Sequence, residues 1–145
     1  MAVSVKKVTL WRSEIENKPG SVARTLKFLA QAGASLQVIM AFRFQGDSTR
    51  AAVELFSVTG KKAQAAAREA GLSPSSIPTI LAIGDDRPGL GSEITEAIAG
   101  VGINLSFMVA QVIGRKYSCI YGFETQEDAQ VGAALIKKAS RPRKK

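Results

Sequence analysis

Residues 17–36 read NKPGSVARTLKFLAQAGASL, and residues 86–105 read DRPGLGSEITEAIAGVGINL. The second segment begins 69 residues after the first, and this constant shift places Pro19 on Pro88 and Gly33 on Gly102. A repeat at a fixed spacing indicates a duplicated structural unit, and two copies are too few for a solenoid. The chain is therefore predicted to contain two similar small domains.

The length and composition are those of a soluble globular protein. A chain of 145 residues suits one ordinary domain or two small ones, and each half would bury only a thin core alone. We therefore expect the halves to pack together or on a second chain. Hydrophobic residues make up 46% of the chain and charged residues 22%. No run of 18 apolar residues exists, and the N-terminal MAVSVKKV has no secretory apolar core, so no membrane association is predicted.

The cysteine and histidine content excludes several kinds of site. Cys119 is the only cysteine and there is no histidine. The chain therefore cannot form an internal disulfide, a Cys/His zinc site of its own, a Ser-His-Asp triad or a Cys-His pair. We expect Cys119 to be a small core residue and no metal or cofactor to be bound. The protein is expected to be cytoplasmic, since this composition suits a reducing compartment.

The net charge of +8 is concentrated at the C-terminus, where residues 141–145 carry four positive charges. A basic tail of this kind is most often a solubilising terminus, and weak binding to nucleic acid or acidic lipid is the alternative. We treat residues 140–145 as a tail outside the two domains.

The first repeat has the pattern of alternating strands and helices. A strand is predicted over Lys6–Ile15 and a helix over Pro19–Ala32, where apolar side chains recur at helical spacing. Alternation from Ala34 to Phe44 predicts a second strand with its apolar side chains on one face. A return strand over Ala51–Val58 and a helix over Lys61–Ala70 follow.

The second repeat has the same order. Its first strand is predicted over Thr79–Gly84. The second strand is predicted from the alternation of Ile103, Leu105, Phe107 and Val109 on one face, and the third runs from Tyr117 to Phe123. The predicted helices are Pro88–Val101 and Gln126–Ala139.

This order predicts an α+β fold of two ferredoxin-like (βαββαβ) units, each an antiparallel sheet with helices packed on one face. We place domain 1 at residues 1–74 and domain 2 at residues 75–139. The stretch from about Ser75 is expected to close the first sheet, open the second, or do both. No strand-like sequence follows the last helix, so the second sheet is expected to have three strands of its own or to borrow an edge.

The two repeats resemble the ACT domain. The ACT pattern is a strand, then (N/D)-x-P-G, an amphipathic helix, and A-G-(A/I)-x-L opening the next strand. ENKPGSVARTLKFLAQAGASL matches it, and DDRPGLGSEITEAIAGVGINL matches it except that Val101 stands where the pattern has alanine. The whole layout resembles the small stand-alone proteins made of two fused ACT domains. The resemblance implies a regulatory, non-catalytic protein that binds an amino acid or similar small molecule at interfaces between paired units.

Carried over by position, the resemblance implies two sets of ligand-binding residues. In the first repeat they are Asn17, Lys18, Pro19, Gly20, Ser21 and Ser35, and in the second they are Asp86, Arg87, Pro88, Gly89, Leu90, Gly91 and Asn104. The second repeat has the fuller pattern, because the first has a serine where the second has Asn104. We therefore expect the second repeat to be the better site.

Physical chemistry supports such a site independently. A helix N-terminus offers unpaired N–H groups and a partial positive charge, which suit an α-carboxylate. Asp86 can pair with an α-ammonium, and Asn104 has both a donor and an acceptor. The alternative interpretation is an ordinary helix start, because Pro-Gly after Asn or Asp also suits that role.

Other motifs support weaker hypotheses. Gly89-Leu90-Gly91 lacks the third glycine of a dinucleotide loop, because Ile94 occupies that position. Adjacent Asp85 and Asp86 are expected to be solvated turn residues rather than cation ligands. The element order also occurs in RNA-recognition domains, whose sheet aromatics stack on bases.

The preferred function is a metabolite sensor that forms a homodimer or higher oligomer through sheet edges. RNA binding by the strand aromatics Tyr117, Tyr121 and Phe123 with the basic tail is one alternative, and a ligand-free assembly module is another.

Overall fold

A computed structural model describes residues 3–142 of the chain. Within this range the strands are β1 (Ser4–Val8), β2 (Trp11–Glu16), β3 (Val38–Phe44), β4 (Asp47–Phe56), β5 (Ser73–Pro74), β6 (Thr79–Asp85), β7 (Leu105–Ile113) and β8 (Lys116–Phe123). The helices are α1 (Ser21–Gln31), α2 (Lys61–Glu69), α3 (Leu90–Gly100) and α4 (Gln126–Ala139). Of the basic tail predicted over residues 140–145, residues 143–145 lie outside the described part.

The chain forms two compact units. The first-repeat unit comprises Thr9–Ser76, and the second-repeat unit comprises the residues from Ile77 onward together with those up to Val8. The sequence placed residues 1–8 with the first repeat, whereas the described residues 3–8 belong to the second-repeat unit.

The first-repeat unit is a four-stranded antiparallel sheet in the order β3-β4-β2-β5. Trp11, Leu29, Val53, Leu55 and Ala67 are among the buried residues of its core. The core holds residues of α1, α2 and the sheet, so the helices cover one sheet face. The two-residue β5 closes this sheet beside β2.

The second-repeat unit is also a four-stranded antiparallel sheet, in the order β1-β6-β8-β7. Its fourth strand comes from the N-terminus of the chain, since Ser4 pairs with Ile83 and Val8 pairs with Thr79. The second sheet thus borrows an edge strand, one of the two predicted outcomes. An unpaired β6 edge would leave its N–H and C=O groups without strand partners, and β1 satisfies them.

The predicted strand over Lys6–Ile15 is therefore wrong as a single element. It is two strands, β1 and β2, that belong to different sheets. Val5 packs against the core of the second-repeat unit, and Trp11 is buried in the core of the first. The alternating pattern of residues 6–15 is the same whichever sheet each half joins, so it did not reveal the break.

Two predicted strand faces also require correction. A register shift between Leu105 and Phe107 reverses the alternation, so Leu105 packs against the core while the Phe107 ring lies across Gly122. In the first repeat, the strand begins only at Val38. Met40 then pairs with Glu54, which lies on the sheet face opposite to the core residues Val53 and Leu55.

With these corrections the fold class is the predicted one: α+β, with two ferredoxin-like units whose antiparallel sheets carry helices on one face. Among the described residues, no helix has both the length and the apolar character needed to cross a membrane.

Candidate functional site

The second bend, residues 86–91, connects β6 to α3. The Asp86 amide donates to the Arg115 carbonyl at 2.8 Å, and the Leu90 amide donates to the Arg87 carbonyl at 3.2 Å. The first helical hydrogen bond runs from the Glu93 amide to the Gly89 carbonyl. Within residues 3–142, no group accepts from the amides of Gly91 and Ser92. These two donors can therefore receive an anion.

Gly89 gives this bend its shape. Its φ of 85° lies in the left-handed region, and a Cβ added there would meet no atom within 4 Å. The need for glycine is therefore conformational rather than steric. Gly20 in the first bend, residues 17–21, has the same conformation with φ of 90°.

The two aspartates of the second bend differ in their surroundings. Asp85 pairs with Lys116 on the neighbouring strand, and this hydrogen bond lowers the pKa of the Asp85 carboxyl. The Asp86 carboxylate is exposed and makes no hydrogen bond or ion pair with a residue in the described range. Asp86 is therefore the acid of this bend that remains available to a ligand.

Arg87 of the second bend has partners in both helices of its unit. Its guanidinium pairs with Glu93 of α3 and donates a 2.8 Å hydrogen bond to the Ala139 carbonyl near the end of α4. A role in ligand binding is predicted for Arg87, and in this structure its charge is engaged inside the second-repeat unit.

Asn104 immediately precedes β7, and its Nδ2 donates to Glu124 Oε1 at 2.9 Å. Both side chains are exposed, so water or a ligand can replace this contact. The amide oxygen of Asn104 makes no hydrogen bond within the described range.

The structure does not bring Asn104 and the second bend together within one unit. Asp85 and Ile113 both pair with Lys116, whereas Leu105 pairs with Phe123 at the other end of the sheet. Asn104 and Asp86 therefore lie at opposite ends of strands that are about 20 Å long, given about 3.4 Å per residue. A single small ligand cannot contact both residues of one unit.

The first bend has more internal contacts. The Asn17 amide donates to the Thr49 carbonyl at 2.8 Å, and its Nδ2 donates to the Ser48 carbonyl at 2.7 Å. Lys18 pairs with Glu16 at 2.8 Å. Ser21 is buried, and its amide donates to the Lys18 carbonyl at 3.3 Å.

The first bend nevertheless keeps two available donors. Within residues 3–142, the amides of Val22 and Ala23 have no hydrogen-bond acceptor. Pro19 and Gly20 set the chain direction just before these amides, as Pro88 and Gly89 do in the second bend.

Ser35 is exposed at the far end of α1 from Ser21, so the first repeat also separates its predicted residues. It lines an open cavity of about 470 Å³ beside the start of α2, together with Lys61 and Lys62. An 11-residue helix is about 16 Å long, which sets the separation between Ser35 and the first bend.

Sequence reasoning missed Glu54, a carboxylate inside the apolar run AAVELF. It is 3% exposed, its Oε1 has no hydrogen-bond partner, and Arg12 Nη1 lies 3.5 Å from that atom. Arg12 is also 3.7 Å from Glu14, which pairs with Arg50 at 2.8 Å, so opposite charges alternate across the sheet face opposite to the helices. The sequence feature that could have revealed this residue is a glutamate inside an otherwise apolar strand.

The aromatic residues considered for RNA stacking are not available to bases. Tyr117, Tyr121 and Phe123 are each at most 5% exposed and belong to the core of the second-repeat unit. The structure therefore contradicts the hypothesis that these three side chains stack on RNA bases.

Cys119 shares this core, and burial raises the pKa of its thiol to about 11, so the predicted core role is confirmed. In residues 3–142, no group of three His, Cys, Asp or Glu side chains could hold a metal ion.

The fold is similar to those of several solved structures. A Bacteroides thetaiotaomicron protein superposes with a TM-score of 0.73 at 12% identity, covering 92% of this chain and 98% of that one. The ligand-free regulatory subunit of aspartate kinase from Thermus thermophilus gives 0.62 at 18% identity, with 96% and 97% covered. A putative C-terminal regulatory domain of aspartate kinase from Porphyromonas gingivalis gives 0.55 at 10% identity, with 96% of both chains covered.

At such low identity these likenesses show the fold alone. The sequence matches no protein-family model and no curated protein.

Proposed function

We propose that this chain is a non-catalytic cytoplasmic regulatory protein that binds a small metabolite, an amino acid, at an interface between paired ACT-like units. The similarity to regulatory subunits of aspartate kinase supports a regulatory role. The chain also has no histidine for acid–base or nucleophilic chemistry.

The observation that carries the proposal is the chemistry of the second bend. Two amides at the start of α3 lack acceptors within the described range, and the Asp86 carboxylate beside them lacks a partner there. The amides suit an α-carboxylate and Asp86 suits an α-ammonium, so together they match a zwitterion.

Pairing of two copies would complete this site. β7 is an edge strand with exposed apolar side chains on both faces, including Val112 at 53% and Ile113 at 70% exposure. In antiparallel pairing of β7 with the β7 strand of a second copy, the start of one strand lies beside the end of the other. The start of the second copy's β7 would therefore lie at the sheet end that holds the second bend. A ligand would then contact the second bend of one copy and Asn104 of the other.

The second bend is preferred over the first because its polar groups are less engaged. Asn17 occupies the position of Asp86 and is bonded to Ser48 and Thr49, whereas Asp86 has no such partner in the described range. The first repeat also has Ser35, with one hydroxyl, in place of Asn104 and its amide.

Isothermal titration of the full chain with the twenty amino acids tests the ligand. We expect one or a few to bind, and Asp86→Asn to weaken binding about tenfold, the effect of losing one charge-assisted hydrogen bond. Asp128→Asn is the matched control, because Asp128 is also an acid close to a helix N-terminus of this unit. No heat with any amino acid at millimolar concentration would overturn the proposal and favour the ligand-free assembly module.

Sedimentation velocity tests the pairing. Val112→Lys places a charge on the β7 edge and should shift the protein to monomer, with loss of amino-acid binding. Ile39→Lys, at the 52% exposed β3 edge of the other sheet, is the matched control. A monomeric Val112→Lys variant with unchanged ligand affinity would contradict a site shared between copies.

A further inference from the structure

A second cavity lies between α3 and α4, on the helix side of the second-repeat unit. Its volume is about 460 Å³, within the range of small-molecule sites. Ala97 of α3 and Leu135 of α4 contribute apolar walls, and Lys138 and Arg141 lie at its rim. Neither Asp86 nor Asn104 lines it, so it is separate from the site proposed above.

The charges around this cavity do not balance. Arg87 and Glu93 both line it and are paired with each other, so their charges cancel. The side chains of Lys138 and Arg141 have no ion pair or hydrogen bond with any residue from 3 to 142. Among the described residues, the lining therefore has two positive charges without a partner, Lys138 and Arg141, beside an apolar wall.

From this juxtaposition we propose that the α3–α4 cavity binds a small organic carboxylate with an apolar body. The carboxylate contacts Lys138 and Arg141, and the hydrocarbon part packs on Ala97 and Leu135. The Arg87–Glu93 pair adds no net charge, whereas Lys138 and Arg141 are both positive. The preferred ligand is thus a carboxylate, and a cation of the same shape is rejected.

The first test uses matched probes of one length: hexanoate, hexanol and hexylamine, titrated into the full chain and followed by amide NMR shifts of α3 and α4. Hexanoate is expected to bind most tightly and hexylamine not at all. Lengthening the acid from butyrate to hexanoate should tighten binding about fourfold per methylene until the cavity is filled. Equal binding of hexanoate and hexylamine, or no binding of hexanoate at tens of millimolar, would overturn the proposal.

Variants then locate the bound acid. The double variant Lys138→Gln, Arg141→Gln should weaken hexanoate binding about tenfold or more, whereas Lys137→Gln, which does not line the cavity, should leave it unchanged. Ala97→Leu fills the cavity and should abolish binding, with Ala99→Leu on the exposed side of the same helix as control. Hexanoate affinity that is unchanged in both cavity variants would overturn the proposal. These outcomes are independent of Asp86, so the fate of the amino-acid site does not decide them.

Discussion

Arg87 donates a 2.8 Å hydrogen bond to the carbonyl oxygen of Ala139, which lies 52 residues further along the chain. The same guanidinium pairs with Glu93 of α3. One side chain in the second bend therefore connects the start of α3 to the end of α4. The last carbonyls of a helix have no partner inside the helix, so this arginine stabilises the end of α4.

Replacing Arg87 with alanine is expected to lower the free energy of unfolding by about 1–2 kcal/mol, because it removes a charge-assisted hydrogen bond and an ion pair that are both partly buried. Urea unfolding measures the change. Arg115→Ala is the control: that arginine is exposed, its side chain has no partner in the described range, and its loss should change stability by less than about 0.5 kcal/mol. Equal effects of the two substitutions would contradict a stabilising role for Arg87.

Two glycines in helices should respond oppositely to alanine. A Cβ at Gly132 of α4 would lie 2.4 Å from the buried Phe123 ring, so Gly132→Ala should destabilise the protein by about 1–3 kcal/mol. A Cβ at Gly100 of α3 would meet no atom within 4 Å, so Gly100→Ala should stabilise it by up to about 1 kcal/mol. Thermal unfolding of the two variants checks the signs, and a stabilised Gly132→Ala would show that α4 does not pack on Phe123 as described.

Removal of residues 1–7 should destabilise the second-repeat unit rather than the first. The deletion removes most of β1 and leaves the β6 edge without its strand partner. Hydrogen exchange should accelerate at the β6 amides that face β1, and change little in β2 and β4. Faster exchange confined to β2 and β4 would mean that the N-terminal strand belongs to the first repeat. Truncation after residue 140 is the control.

The Asp85–Lys116 pair predicts a defined pH dependence. Its hydrogen bond lowers the pKa of Asp85 from the ordinary value of 3.8, so in acid the unfolded chain binds more protons than the folded one. The stabilisation is complete above the ordinary value and is lost as the pH falls through the folded value. Lys116→Met should therefore raise the Asp85 pKa, measured by carboxyl ¹³C NMR, and destabilise the protein more at pH 7 than at pH 2. Lys137→Met should do neither, and an unmoved Asp85 pKa in Lys116→Met would refute the pairing.

Much of the fold was predictable because its signals are local. The spacing of Val22 and Leu29 predicts α1, and the alternation through Cys119 places that residue in the core, where the structure has it. The bends at Gly20 and Gly89 were also recognisable, since proline followed by glycine before an amphipathic run marks a helix start. The predicted helix starts at Pro19 and Pro88 precede the observed first residues by two positions.

The candidate site was less predictable because its geometry depends on contacts between distant residues. The target of Arg87 is in α4, and neither motif contains a signal for that contact. Asn104 and Asp86 were grouped by motif position, yet the strand directions put them at opposite ends of the sheet.

The sequence by itself determined the two repeats, their order of strands and helices, and the glycine-dependent bends, because periodicity and backbone conformation are properties of neighbouring residues. Only the tertiary structure decided which sheet receives residues 4–8 and which face each strand presents after the register shift near Phe107. It also decided which charges remain unpaired around the α3–α4 cavity. The physical reason is that strand pairing and charge compensation join residues far apart in the chain, so the same local pattern is compatible with more than one partner.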